Sequence, residues 1–405
     1  MNLPRNLLSR PRVIRYPRLS SSIPSVTLSR GHFRRYATES SQSPDQVLGR
    51  RPVWIASICL GSGALAYACY DAYTDWRNLY PIEVRDDLKR GIAAKNKGDP
   101  ELSAYYKRKA WETAISLPVE NFKTEPYLRI TGIAVDLAGE FEEQGRPQEA
   151  FKLYADVFNF LRNASPETLS GRERLRGVSL AVKLGQLSRT CAIRVEEEGD
   201  LLEWAVEEVL RLLVDSQAST SAGDAFQGLD LVKVKFPEWL KKTDVSVPLQ
   251  ELGDFYGRTG KSEYAMPLYL QGISLLVSDN PGKASVEDIC QGAYLMNNIA
   301  EIIIRGDPTD ERQKYAESWV RNALSVLKTA RNSTKEPIST CEYALSAALY
   351  NAGMLRELAG DKQHARAFFN SALEQSKMSG VEEGVAAASS TFNHKLRGGI
   401  PIEPE

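Results

Sequence analysis

Three histidines, five cysteines and the serines are the side chains from which a catalytic or metal site would have to be assembled, and their spacing assembles none. His32, His364 and His394 lie far apart, with no pair at metal-ligand spacing. Cys59, Cys69, Cys191, Cys290 and Cys341 form no CxxC pair, so neither a disulfide framework nor a zinc site is expected. They read as small, buried apolar residues. No serine or cysteine has a recognisable general-base partner, and no glycine-rich phosphate loop follows a strand. Gly61-Ser62-Gly63 sits inside an uncharged apolar run and cannot cradle a phosphate, and Glu196-Glu197-Glu198 reads as a solvated helix end. The expectation is a chain without enzymatic activity, cofactor, metal or small-molecule substrate.

The elements around these residues are more informative. Residues 1–36 hold eight arginines, no lysine and no acidic residue, and the chain's net charge of −1 leaves −9 on the rest. An acidic body excludes nucleic acid as an expected partner. Arginine- and serine-rich, acid-free composition is that of a mitochondrial transit peptide. Arg34-Arg35-Tyr36-Ala37 resembles a matrix-protease site, which places cleavage after Tyr36 and leaves 37–52 as a short matrix segment.

Val53 to Tyr70 follows without a charge, 18 residues that span about 27 Å as a helix. Trp54 flanks one end, and Tyr67, Tyr70, Tyr73 and Trp76 the other, where interfacial aromatics belong. The segment predicts one transmembrane helix. Arg50 and Arg51 before it, with Asp71 and Asp75 after it, put the N-terminal side in the matrix and the C-terminal body in the intermembrane space. Ser57, Gly61, Ala64 and Ala68 line one face with small residues that would permit close packing on another membrane helix.

After a juxtamembrane linker, 71–80, the region 81–395 shows apolar residues at three- and four-residue steps and no strand-like alternation, which predicts an all-α fold. A flexible tail, 396–405, is expected beyond it. Breaks fall at Gly98-Asp99-Pro100, 163–170, 216–228, 279–285, 306–309 and 332–337, with helical hairpins between them. Leu252, Gly253, Tyr256, Gly260, Ala265 and Tyr269 follow the tetratricopeptide (TPR) spacing. Gly353, Gly360, Ala365, Phe369 and Ala372 repeat it, as do Leu137, Ala138, Phe141, Gly145, Ala150 and Tyr154. Small residues let the two helices of a hairpin approach, and the aromatics are expected to fill the space between hairpins. Pro81 to Leu117 reads as a diverged first copy. Leu184-Gly185 opens a degenerate one, whose first helix is expected to run on into Glu196. Ile299, Ala300, Ile303, Ala316 and Ala323 form another. The Leu-Gly pairs at 185 and 253 stand 68 residues apart, so an extra helix is expected around Ala225 to Trp239. The fold class is a TPR-like helical-hairpin solenoid behind one N-terminal transmembrane helix.

Leu249 to Leu276 contains Tyr-Ala-Met-Pro-Leu-Tyr-Leu-Gln, with Pro267 expected in the first turn of a helix, where a proline costs no hydrogen bond. Together with Tyr80-Pro81 leading into Val84, Leu88 and Gly91 after the anchor, the chain resembles the fungal TPR adaptor subunit of the mitochondrial i-AAA protease. The resemblance covers most of 50–395. It implies an adaptor that docks on the membrane-bound protease and helps deliver unfolded substrates, without catalytic residues of its own.

A TPR array presents its first helices to extended or helical ligands. By repeat position that surface would include Gln250, Asp254, Tyr294, Asn297, Glu301, Arg305, Tyr350 and Met354. A membrane-anchored assembly factor for a respiratory-chain complex is the alternative reading. An outer-membrane precursor receptor would want an anchor at the N-terminus and a basic carboxylate clamp, for which Asn297 and Arg305 are poor material.

Overall fold

A computed structural model describes residues 79–218, 236–277, 284–306, 309–380 and 385. The presequence, the matrix segment, the apolar span, most of the linker and the tail lie outside these residues, as does most of the extra helix expected at 225–239. No helix among the described residues is long and apolar enough to cross a membrane.

The described residues form twelve α-helices and no strand. They are α1 (Ile82–Asn96), α2 (Pro100–Ser116), α3 (Pro126–Glu143), α4 (Pro147–Arg162), α5 (Gly171–Ser188), α6 (Val195–Ala218), α7 (Lys242–Arg258), α8 (Ser262–Leu276), α9 (Val286–Arg305), α10 (Asp310–Asn332), α11 (Ser339–Leu358) and α12 (Lys362–Ser379). Breaks stand where the sequence puts them at 98–100, 163–170 and 332–337, and α9 begins just after Ser285 and ends at Arg305, beside two further expected breaks. Several have identifiable chemistry. Asp99 caps α2 by accepting from the Leu102 amide at 3.0 Å, Ser285 and Asp288 form a capping box on α9, and Asp361 accepts from the His364 amide. The tight turns at Gly260 and Gly360 have φ of 83° and 78°, which a β-carbon would strain.

Two local expectations are corrected. Glu196 to Glu198 open α6, rather than extend α5, because α5 ends at Ser188 and a short turn intervenes. Three carboxylates in a first turn complement the positive end of the helix dipole. Pro267 lies inside α8, beyond its first turn, so the helix forgoes one backbone hydrogen bond there. Tertiary packing evidently outweighs that loss, since Ala265 and Tyr269 on either side are buried.

The chain divides into two compact units within α5, at Arg176 and Gly177. In the first, α1 packs on α2 and α3 on α4 around Val84, Ala110, Ile130, Leu137, Phe141 and Val157. Lys107, 1% exposed, is the exception in this core. Its ammonium pairs with Asp136 and with buried Glu140, which also accepts from the Ser103 hydroxyl at 3.0 Å and meets Lys95 at 3.1 Å. So complete a partner set is what allows a lysine to be buried charged. The chain's entry is pinned as well. Arg129 donates to the Leu79 carbonyl at 3.0 Å and Arg85 to the Tyr80 carbonyl at 2.9 Å, which fixes the last linker residues on the body.

In the second unit, Gly185 of α5 lies against Leu202 of α6, and α7–α8, α9–α10 and α11–α12 form three further hairpins. First helix α9 packs beside α11, and α8 and α10 each pack on the first helix of the next hairpin.

Candidate protein-binding surface

The surface expected on α7, α9 and α11 is positioned by contacts inside each hairpin. A β-carbon built on Gly253 would stand 2.6 Å from Tyr269, and one on Gly353 would stand 2.7 Å from Phe369. The aromatic of each second helix therefore occupies the space left by the glycine of its own first helix. Tyr269 also joins a buried cluster with Leu295 and Ile299 of α9, so it fills the gap to the next hairpin as well, as expected. The arrangement sets how each first helix is rotated, and so which of its residues face the next hairpin.

Those facing residues meet across the hairpin boundaries as polar pairs. The Gln186 amide donates to Glu251 at 3.0 Å, joining α5 to α7. The Gln291 amide donates to Gln250, and Asn298 to Asp254 at 3.0 Å, joining α9 to α7. Asn351 donates to Asn297 at 3.2 Å, joining α11 to α9. Asp254 also accepts from the Tyr269 hydroxyl. Burial, and then the neighbouring Asp254 charge, hold that hydroxyl well above the ordinary phenol range.

The eight expected binding residues are therefore placed differently from one another. Gln250, Tyr294, Asn297, Tyr350 and Met354 are buried, at 7% exposure or less. Gln250 and Asn297 belong to the polar seam. Tyr294 packs at a tilt on Tyr343 with ring centroids 5.5 Å apart, and Tyr350 packs on Phe369 at 5.4 Å in the cluster that also holds Met354. Neighbouring first helices close over Gln250, Tyr294 and Asn297, and α12 closes over Tyr350 and Met354. Asp254 and Glu301 are half-buried and Arg305 is exposed. Arg305 pairs with Glu301 and donates to the Gly257 carbonyl at 3.2 Å, so these groups gather at the α7–α9 edge. Partly open apolar side chains that the sequence reading did not single out, Met296 on α9 and Leu345 and Leu349 on α11, accompany them on these helices.

Cys290 and Cys341 overturn the expectation of unlinked cysteines. They form a disulfide between α9 and α11, with Cα atoms 4.9 Å apart. The available signal was positional: Cys290 is the fifth residue of α9 and Cys341 the third of α11, so both sit near the start of a first helix. Cys191 keeps its thiol, pushed up in pKa by burial. Among the described residues no three His, Cys, Asp or Glu side chains gather closely enough to hold a metal ion.

No protein-family model matches the chain, and neither does any curated protein. Similar solved structures include BtubC (BKLC) from P. vanneervenii, 14% identical, covering 76% of this chain and 95% of that one with a TM-score of 0.45. A putative kinesin light chain from Podosopora anserina with nearly identical TPR-like repeats is 15% identical, covers 60% and 92%, and has a TM-score of 0.36. A tetratricopeptide repeat protein from Parabacteroides merdae is 12% identical, covers 76% and 100%, and has a TM-score of 0.31.

Proposed function

We propose that this chain is a non-enzymatic adaptor, anchored in the mitochondrial inner membrane with its helical body in the intermembrane space. There it docks on the i-AAA protease and helps deliver unfolded proteins for degradation. The observation that carries the binding role is the side-by-side run of α7, α9 and α11, cross-linked by polar pairs into a wall of first helices. A preorganised wall binds without paying to order itself. Asp254, Glu301 and Arg305, with Met296, Leu345 and Leu349, offer the mixed charged and apolar character that suits extended, unfolded segments. The buried residues of the expected set act by holding that wall in register.

The partner and the compartment rest on the sequence. The basic, acid-free N-terminus, the apolar span and the Leu249–Leu276 segment support them.

Affinity capture of the full chain from detergent-solubilised mitochondria tests the assignment. Recovery of the i-AAA protease is expected, and its absence would sink the partner. Co-migration with a respiratory complex instead, on native gels, would move the reading to an assembly factor. Carbonate extraction and N-terminal sequencing of the mature chain test the anchor and the cut after Tyr36.

A further inference from the structure

We infer that the Cys290–Cys341 bond is a covalent clamp placed on this chain by a thiol oxidant while it folds, so that the body matures in an oxidising compartment.

The bond ties α9 to α11, the first helices of consecutive hairpins, across 51 residues of sequence. The surrounding joint is made largely of small side chains: Ala293, Ala344, Ala347 and Ala348 are buried in the cluster that holds both cysteines. Alanines allow the helices to come close but remove little apolar area from water, so this joint gains less from burial than one filled by leucines. A covalent tie is of most use there. The tyrosines Tyr294 and Tyr343 cover the joint from the same two helices.

Burial dates the reaction. Cys290 is 0% and Cys341 3% exposed, so a protein-sized oxidant cannot reach either sulfur once α9 and α11 have closed. Oxidation therefore precedes or accompanies closure. One chain thiolate attacks the oxidant's disulfide, forming a mixed disulfide and releasing one oxidant thiol. The second chain thiolate then attacks the chain sulfur of that mixed disulfide, closing Cys290–Cys341 and releasing the second. Two electrons and two protons leave the chain, and the oxidant, a protein disulfide, becomes a dithiol. Compartments buffered by glutathione and thioredoxin keep thiols reduced, so a structural bond of this kind marks an oxidising one. The same burial shields the finished bond from reductant, which makes it a structural tie rather than a switch.

The test uses cells expressing the full chain, quenched in acid to freeze thiol exchange, alkylated, and digested with trypsin without reduction. Cys290 and Cys341 fall in separate tryptic peptides, 284–305 and 336–356, each with a single cysteine, and Cys191 falls in a third. The expected result is one species joining the first two, lost on reduction, with Cys191 alkylated. Recovery of Cys290 and Cys341 both alkylated, or of either joined to another cysteine, overturns the inference. In the native full chain, a small dithiol should leave the link intact until denaturant is added; equal loss without denaturant would overturn the shielded clamp. These readouts do not depend on the partner. A linked pair in a chain that captures no protease sinks the adaptor assignment alone, and alkylated cysteines in a chain that captures it sink the clamp alone.

Discussion

Phe369 lies against the bare Cα of Gly353, sixteen residues earlier in the chain, just as Tyr269 lies against Gly253. The matching pair in the first unit, Tyr154 and Ala138, has the same separation, and both members are buried. The common spacing is the last five residues of a first helix, a three-residue turn and the first eight residues of the second helix. It makes each hairpin a unit whose small residue and aromatic are chosen together.

Gly353→Ala should destabilise the second unit. The new methyl would sit 2.7 Å from the Phe369 ring, and overpacking of this kind costs about 1–3 kcal/mol. Alanine's better helix propensity returns up to about 1 kcal/mol. Gly139→Ala in α3 is the control, because nothing stands within 4 Å of its added β-carbon; it should stabilise by up to about 1 kcal/mol. Chemical denaturation of both variants checks the contrast, and equal effects would deny the glycine its packing role.

Alkaline pH should weaken the fold through the hydroxyls that face carboxylates. Burial and then Glu142 raise the Tyr154 phenol, which donates to that carboxylate at 2.8 Å; burial and then Asp254 raise Tyr269. A folded-state value above the unfolded one means the contribution is complete below about pH 10 and is lost as pH climbs through the folded value. Tyr256, half-buried and donating to Glu203, is pushed up to about 12 by burial first and that hydrogen bond second. The melting temperature should therefore fall above pH 10, less steeply in Tyr154→Phe. Phenolate absorbance should show these tyrosines titrating late or only with unfolding.

Removing the disulfide should cost the second unit about 4 kcal/mol, from the entropy of an unfolded chain freed of a 51-residue crosslink. The Cys290→Ala/Cys341→Ala double variant, compared in urea with the unreduced parent, measures it. A change below about 1 kcal/mol would show that the small-residue joint holds without its tie.

Substitution at the α7–α9 edge should separate binding from folding. Glu301→Ala with Arg305→Ala removes a pair that lies partly in solvent, where such contacts contribute about 1 kcal/mol or less. The fold should persist by circular dichroism while recovery of the captured partner falls several-fold. Asn297→Ala should do the reverse at first, lowering stability by about 1–3 kcal/mol because Asn351 loses its buried partner. Equal capture by the charge variant and the parent would remove this edge from the binding surface.

The sequence by itself determined the helices, most of their breaks and the pairing of each first helix with its second. Apolar residues at helical steps, the glycines of the turns and the Gly–aromatic spacing all act over distances of one hairpin or less, so they are visible in a linear reading. Position along a first helix led only to the expectation that Tyr350 and Asn297 share an exposed face. Only the tertiary structure decided what covers that face. Gln291 reaches Gln250 across 41 residues, Asn351 reaches Asn297 across 54, and Cys341 meets Cys290 across 51. Those separations depend on how closely neighbouring hairpins pack and how long each connection is. Helical periodicity specifies the direction in which a side chain points; whether water or another helix stands opposite is settled by contacts far apart in the chain.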